Sequence, residues 1–300
     1  MKPLLIIAGA TGTGKSDIAI ECAKIMNGEV VSADSMQIYR DLDIGTAKVL
    51  PEEMQGIKHH LIDIVSPEES FTVHDYQMAA TDCISDIISR GKLPILCGGT
   101  GLYINSVIYD MSFSGTYDKV LREKLILEYN EIGKEKMHSR LAELDKEAAA
   151  RLHPNDVKRV IRAIEKAMTG GTKEKDMEHP RYPYKMYLTD FPRDILYQRI
   201  NTRVDKMMRN GLEKEIASLL KRGIGYDRQC MQAIAYKEWA LSETESLTRE
   251  EIVETIKKNT RNYAKRQITW FKQYHDATYI PVIDRSAREI AAFIAEDYKK

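Results

Sequence analysis

The sequence has little of what marks a membrane, secreted or metal-stapled protein. Its 300 residues contain four cysteines, Cys22, Cys83, Cys97 and Cys230, with no Cys-x-x-Cys pair. Thiols so sparse exclude a disulfide framework and a thiolate zinc site, and read as structural or merely tolerated. No run of about 18 apolar residues is present, the length a helix needs to cross a bilayer. The opening Met1-Lys2-Pro3 leads straight into a strand-like segment rather than the apolar stretch of a signal peptide, so the expected compartment is the cytoplasm, with no membrane partner. Net charge is also lacking, with 45 basic against 45 acidic residues. Taken alone, that balance argues against a nucleic-acid partner. What is present is 43% hydrophobic residues, enough for a sizeable core, over a length that fits one large α/β domain with an insertion, or two domains.

The zero average hides an asymmetry. Residues 1–150 carry 15 Lys/Arg and 23 Asp/Glu, a balance of −8, which leaves +8 for residues 151–300. The most basic stretch is Lys257 to His275, where Lys257, Lys258, Arg261, Lys265, Arg266 and Lys272 alternate with Tyr263, Trp270, Phe271 and Tyr274 and no carboxylate intervenes. Cations mixed with aromatic planes suit phosphates and unstacked bases. A solvated face of a basic amphipathic helix is the competing reading.

Short β-rich apolar runs occur at Pro3–Ala8, Glu29–Ser32, Leu61–Val65, Leu93–Cys97, Tyr184–Leu188 and Thr278–Val282, most of them separated by helical periodicity. Strands alternating with helices predict a parallel sheet with helices on both faces. Between Tyr109 and Pro183 the β signals vanish, and Lys119–Asn130, Lys134–Leu144 and Pro154–Met168 read as helices. We therefore expect an α/β core over 1–112 and 183–300 and a helical insertion over 113–182. Gly170-Gly171-Thr172 through His179-Pro180 reads as a loop. Asp194–Lys221 and Arg249–Tyr274 read as a further helical region ahead of the last strand.

The first strand runs into Gly9-Ala10-Thr11-Gly12-Thr13-Gly14-Lys15-Ser16 and then a helix. This is G-x-x-x-x-G-K-S in the strand-loop-helix context it requires, and it makes the expected core P-loop NTPase-like. Its backbone N–H groups and the helix N-terminus cradle phosphate oxygens, Lys15 adds a point charge, and Ser16 is placed to ligate Mg²⁺. The motif leaves open whether the ligand is a nucleoside triphosphate or another diphosphate ester. The second strand ends in Asp34 and the fourth in Gly98-Gly99-Thr100, so a carboxylate and a hydroxyl face the crevice beyond the strand ends. Each, singly, could equally be a helix cap.

These residues carry a resemblance. The phosphate loop, Asp34-Ser35-Met36-Gln37, Gly45-Thr46-Ala47-Lys48, His59-His60-Leu61-Ile62-Asp63 and Gly98-Gly99-Thr100-Gly101-Leu102-Tyr103 resemble the tRNA dimethylallyltransferase family. The likeness continues through His153-Pro154-Asn155-Asp156, Lys158-Arg159-Val160-Ile161-Arg162, Arg199-Ile200 with Arg203-Val204, Gly211-Leu212-Glu213, Gln232-Ala233-Ile234-Ala235-Tyr236-Lys237 and Lys265-Arg266-Gln267-Ile268-Thr269-Trp270-Phe271. Met36 stands where many members carry Arg, and Ala235 where Gly is expected. The first bears on a contact to RNA, the second on a backbone angle.

The resemblance implies transfer of a dimethylallyl group from dimethylallyl diphosphate to N6 of the adenosine 3′ of the anticodon, with Mg²⁺ as cofactor. By it, Lys15, Mg²⁺ on Ser16, Thr100 and Arg203 neutralise the leaving diphosphate, and Asp34 orients the amine and takes its proton. By it also, the Asp34–Gln37 segment reads the flipped base. The same carry-over has Thr100, Arg122, Lys158–Arg162, Gln232–Lys237 and Lys265–Lys272 grip the anticodon stem-loop of tRNA. His59 and His60 are read as structural, and Asp63 as a strand-end cap or a water-mediated Mg²⁺ partner. A monomer is expected. The alternatives are a P-loop small-molecule kinase with the insertion as lid, an isopentenyltransferase acting on free adenine nucleotides, and an RNA-binding or switch module without chemistry.

Overall fold

Six consecutive buried residues, Leu4–Gly9, form β1, a continuous apolar run of the kind a strand covered on both faces requires. In the computed structural model, which describes residues 3–109, 111, 119–170 and 179–300, it lies inside a six-stranded parallel sheet. The other strands are β2 (Gly28–Ala33), β3 (His59–His60), β4 (Leu93–Gly98), β5 (Tyr184–Asp190) and β6 (Thr278–Pro281), in the order β3-β2-β4-β1-β5-β6. The connections from β1 toward β2 and from β4 toward β5 lead to opposite sides of the β1–β4 pair. That reversal opens a crevice beyond the carboxyl ends of the central strands.

The helices of this unit are α1 (Lys15–Met26), α2 (Val73–Ser89), α3 (Gly101–Ile108), then, beyond the insertion, α7 (Arg193–Arg209), α8 (Leu212–Lys221), α9 (Leu241–Thr244), α10 (Arg249–Phe271) and α11 (Ala287–Asp297). Leu5, Ile7, Ile95 and Cys97 pack with Ile18 and Cys22 of α1 and with Ile290 and Ile294 of α11. The alternate residues Leu4, Ile6 and Leu96 are buried on the other face, the side of α2, α3 and α10. Where the sequence reads as one helical region over Asp194–Lys221, the chain breaks between α7 and α8 at Gly211, whose φ of 97° lies in the left-handed region.

The third strand corrects an expectation. It is His59–His60 and not Leu61–Val65, because Leu61 (φ 61°) and Asp63 (φ 57°) are left-handed and cannot extend. Val65 survives only as an isolated bridge to Tyr39. Both histidines are used locally. His59 Nδ1 bonds the Ile57 carbonyl, and His60 Nε2 lies 2.7 Å from Glu29, a buried carboxylate that Arg90 grips with two nitrogens at 2.6 and 2.7 Å. The Arg90 guanidinium holds the Glu29 carboxyl far below the usual carboxylate range.

The second compact unit spans Met111–Met177 and holds α4 (Lys119–Leu144), α5 (Lys146–Arg151) and α6 (Val157–Thr169). The two helices expected at Lys119–Asn130 and Lys134–Leu144 are both found within α4, separated at Gly133, whose φ of 82° and ψ of 171° are not helical. Leu125, Met137, Leu141, Val160, Ile161 and Ile164 fill its core. In the segment read as a loop from Gly170 to Pro180, positions 171–178 lie outside the described residues.

Candidate active site

The phosphate loop is shaped by its glycines. Gly9, Gly12 and Gly14 have φ of 143°, 84° and 80°, and a Cβ on Gly9 would stand 2.2 Å from Thr189 Oγ1. Thr13 Oγ1 donates to the Ala10 carbonyl at 2.9 Å and meets Thr189 Oγ1 at 2.7 Å, which ties the loop to the end of β5. Lys15 Nζ donates to Ala10 O at 2.6 Å. Burial, with Arg203 adding to it, lowers the Lys15 ammonium to about 8.

Two helices roof this loop. From α7, Arg199 Nε donates to Gly12 O at 3.0 Å and Arg203 Nη1 reaches Thr11 Oγ1 at 3.4 Å. From α10, Gln267 accepts the Thr11 N–H at 2.9 Å and donates to Gly99 O at 2.9 Å. Arg199, Arg203 and Lys206 recur at one face of α7 and, with Lys15, line a cavity of about 710 Å³. Four cations around one cavity, beside the N-terminus of α1, favour an anionic ligand there.

Asp34, at the end of β2, lines the same cavity. Its Oδ1 accepts the N–H groups of Met36 (2.9 Å) and Gln37 (3.3 Å), a turn that fixes the carboxylate and leaves Oδ2 without a hydrogen bond among the described residues. Thr100 sits at the N-cap of α3 but does not cap it; its hydroxyl accepts the Ser35 N–H at 3.1 Å and reaches Ser35 Oγ at 3.4 Å. Asp34 thus faces one cavity with the phosphate loop, whereas Thr100, expected to face it too, is outside the cavity lining and is tied to the segment through Ser35. Hydrogen bonds from Gln37 Nε2 to the Thr46 and Ala47 carbonyls, at 3.4 and 3.3 Å, join this segment to the 43–48 loop.

Ser16, Asp17 and Asp34 present a hydroxyl and two carboxylates to the cavity. These are hard oxygen donors of the kind Mg²⁺ takes alongside water and substrate phosphates. Among the described residues no group of three or more His, Cys, Asp or Glu stands close enough to cage an ion without such ligands. Asp63, expected as a cap or a water-mediated Mg²⁺ partner, instead holds Lys48 Nζ at 2.5 Å.

A family model described as IPP transferase matches residues 37–274. This chain is a member of that family. It is 48% identical over 280 residues to the tRNA dimethylallyltransferase of Thermoanaerobacter sp. (strain X514), covering 90% of this chain and 89% of that one. It is 44% identical to that of Clostridioides difficile (strain 630), over 99% of both. Among solved structures, the full-length tRNA isopentenylpyrophosphate transferase of Bacillus halodurans superposes with a TM-score of 0.76 at 43% identity, over 100% of this chain and 97% of that one. A eukaryotic dimethylallyltransferase acting on tRNA gives 0.84 at 29% identity, over 100% and 80%.

Of the residues this transferase was expected to turn toward RNA, the structure separates exposed from buried. Lys158, Arg159, Gln232, Lys237, Lys265, Arg266, Thr269 and Lys272 are exposed, and Ile234, Ile268 and Trp270 are half-buried. Val160 and Ile161 belong to the insertion core, and Ala233, Ala235, Tyr236 and Phe271 are buried in the other unit; packing against apolar neighbours withdraws their side chains from any RNA. Gln267 is likewise buried, committed to Thr11 and Gly99. Arg159 pairs with Asp156 at 3.1 Å, while Arg122 and Arg162 stand 3.5 and 2.9 Å from buried Glu165. Trp270 lays its indole edge over Gly101, where a Cβ would meet Nε1 at 2.0 Å. Ala235 keeps the left-handed angle expected of Gly there, φ 83°, with its N–H held by Glu238 at 2.8 Å.

Sequence reasoning missed Arg199, Lys206 and Tyr263 as cavity residues. The spacing of Arg199 with Arg203 on one helix was a signal for the first. Tyr263 shows its place only in the fold, where burial and the nearby Asp34 carboxylate push its phenol up to about 12.

Proposed function

We propose that the chain is a tRNA dimethylallyltransferase that moves the dimethylallyl group of dimethylallyl diphosphate to N6 of the adenosine 3′-adjacent to the anticodon. The observation that carries this reading is that Asp34, at the end of β2, shares one cavity with the phosphate loop, Arg199 and Arg203, while Thr100 stands beside it and accepts the Ser35 N–H. The phosphate loop and the α7 cations bind the diphosphate. The N6 lone pair attacks the allylic carbon, the C–O bond breaks, and its electron pair leaves with the diphosphate. Arg203, Lys15 and the Thr100 hydroxyl stabilise the charge growing there. Asp34, with Oδ2 free, orients the amine and accepts its proton. An adenine amine is a weak nucleophile, so holding it in line with the carbon while excluding water supplies much of the rate. Mg²⁺, bound through Ser16, would neutralise diphosphate oxygens.

On this reading the base is flipped out of the anticodon loop. Exposed cations of α10, with Lys158 of α6 and Lys237, contact the stem-loop phosphates, and the enzyme works as a cytoplasmic monomer. No helix among the described residues is long and apolar enough to cross a membrane. A kinase would leave the basic face of α10 without a role, and so would an enzyme for free nucleotides. The test is incubation with Mg²⁺, labelled dimethylallyl diphosphate and an unmodified tRNA carrying adenosine after the anticodon, followed by mapping of the label. Label on that adenosine is expected; transfer to free adenosine monophosphate, or ATP hydrolysis alone, overturns the reading.

A further inference from the structure

The loop Asp43–Lys48 forms part of the cavity wall through Ala47, and its own turn bonds, Ala47 N–H to Ile44 O at 3.0 Å and Lys48 N–H to Asp43 O at 2.9 Å, are only part of what holds it there. Ala47 is left-handed at φ 46°, an arrangement that needs outside support. That support comes from a carboxylate 170 residues away. Glu215 Oε2 on α8 accepts the N–H groups of Asp43 and Ile44 at 2.9 and 2.8 Å, and Oε1 accepts that of Gly45 at 3.1 Å and the Tyr236 hydroxyl at 2.5 Å. Three successive amides bound to one carboxylate make a nest, with charge-assisted bonds about twice as strong as neutral ones. Tyr236 is fully buried, and its ring lies so close to Gly45 that a Cβ there would meet it at 2.4 Å. The far end of the loop is pinned by Lys48, which donates to Tyr39 O at 2.8 Å and pairs with Asp43 and Asp63 at 2.5 Å each.

What the loop presents inward is two carbonyls, those of Thr46 and Ala47, which receive the Gln37 amide. The Gln37 backbone N–H in turn binds Asp34 Oδ1. A continuous path therefore runs from Glu215 through the loop to the residues beside the reacting amine.

We propose that Glu215, with Tyr236 behind it, is a positioning residue for transfer: it fixes the 43–48 loop, and through Gln37 the Asp34 carboxylate, without touching substrate. This rests on the transferase reading and deepens it, replacing the RNA contact expected of Tyr236 with a structural one. The diphosphate side shares none of these bonds, so the two sides respond separately.

The experiment measures kcat, KM for tRNA and prenyl donor, inorganic diphosphate affinity and amide hydrogen exchange in Glu215→Gln, Tyr236→Phe and the double variant. Glu215→Gln is expected to lower kcat/KM for transfer by about 10²-fold, the scale of a slight misplacement at the reacting centre. Diphosphate affinity should stay within about twofold, because that site is built from other residues, while exchange of the Asp43, Ile44 and Gly45 amides accelerates. Tyr236→Phe keeps the ring against Gly45 and should lose less. The double variant should be no worse than Glu215→Gln, since both act through one nest. Unchanged kcat/KM with unprotected loop amides overturns the positioning role. So does loss of diphosphate affinity in step with activity, which marks a general folding defect. A wild type that fails to prenylate tRNA instead removes the transferase reading, and the exchange data still report whether Glu215 holds the loop.

Discussion

Two loops line the cavity, and although distant residues touch both, Thr189 and Gln267 the first and Glu215 and Tyr236 the second, their shapes have different main sources. Gly9–Ser16 is shaped from within: three glycines supply angles other residues resist, and Thr13 and Lys15 bond back to Ala10, three and five residues away. Asp43–Lys48, with no comparable set of glycines, adds to its own turn bonds a carboxylate on α8, a buried tyrosine and the carboxylate of Asp63. On the proposed reading the first receives charge that exists before the reaction. On the same reading the second sets the stance of the nucleophile's side, where small errors of position cost rate and not affinity.

The sharpest test of that division is Asp34→Ala. It removes the proposed proton acceptor and is expected to cut transfer by about 10³–10⁴-fold, near the upper end for general-base loss, with diphosphate affinity unchanged and tRNA still bound. Single-turnover transfer and a tRNA binding titration check it; wild-type turnover would remove Asp34 from the chemistry. Arg203→Ala probes the other side, with an expected loss of about 10²–10³-fold in kcat, as for removal of one preorganised donor. Here diphosphate affinity should fall as well. If Arg203→Ala spared diphosphate binding while Asp34→Ala weakened it, the assignment of the two sides would be reversed.

The same contrast decides what was legible in the sequence. The phosphate loop was, because its geometry is written in contiguous residues, and so was the alternation of strands and helices that gives a doubly covered parallel sheet. Leu61–Val65 misled because apolar content says nothing about two left-handed residues, whose angles serve the Asp63–Lys48 pair. Gln267 and Tyr236 sit in motifs rich in polar and aromatic residues, and only the fold shows that one clamps Thr11 to Gly99 and the other backs Gly45. Glu215 is one of two acids on α8, and no local pattern announces that its partners lie at 43–45. Contacts at such separation leave no spacing to read.

Outside the cavity, Lys265→Glu with Arg266→Glu tests whether the α10 face is electrostatic alone. Both side chains are exposed, so fold and diphosphate binding should be unaffected. If each contacts one phosphate, the slope of log affinity for tRNA against log salt should fall by about 2, roughly one per cation removed. An unchanged slope would move the RNA footprint elsewhere.

The smallest expected effect concerns Lys15. Burial lowers its ammonium from 10.5 to about 8, so between those values the folded chain holds fewer protons than the unfolded one, and this residue's contribution to stability rises with pH across that window. Diphosphate binding has the opposite sign, because the anion favours the charged form: below about 8 the cation is already present, whereas above it binding must take up a proton. Affinity attributable to Lys15 should therefore decline by up to about tenfold per pH unit above that point. Titration calorimetry with inorganic diphosphate from pH 6.5 to 9.5, set against Lys15→Arg, isolates the effect, since both proteins meet the same anion and only one cation titrates. Parallel curves would mean that the phosphate loop binds through its backbone and α7 alone, and the receptor side of the cavity would then owe its charge to Arg199 and Arg203.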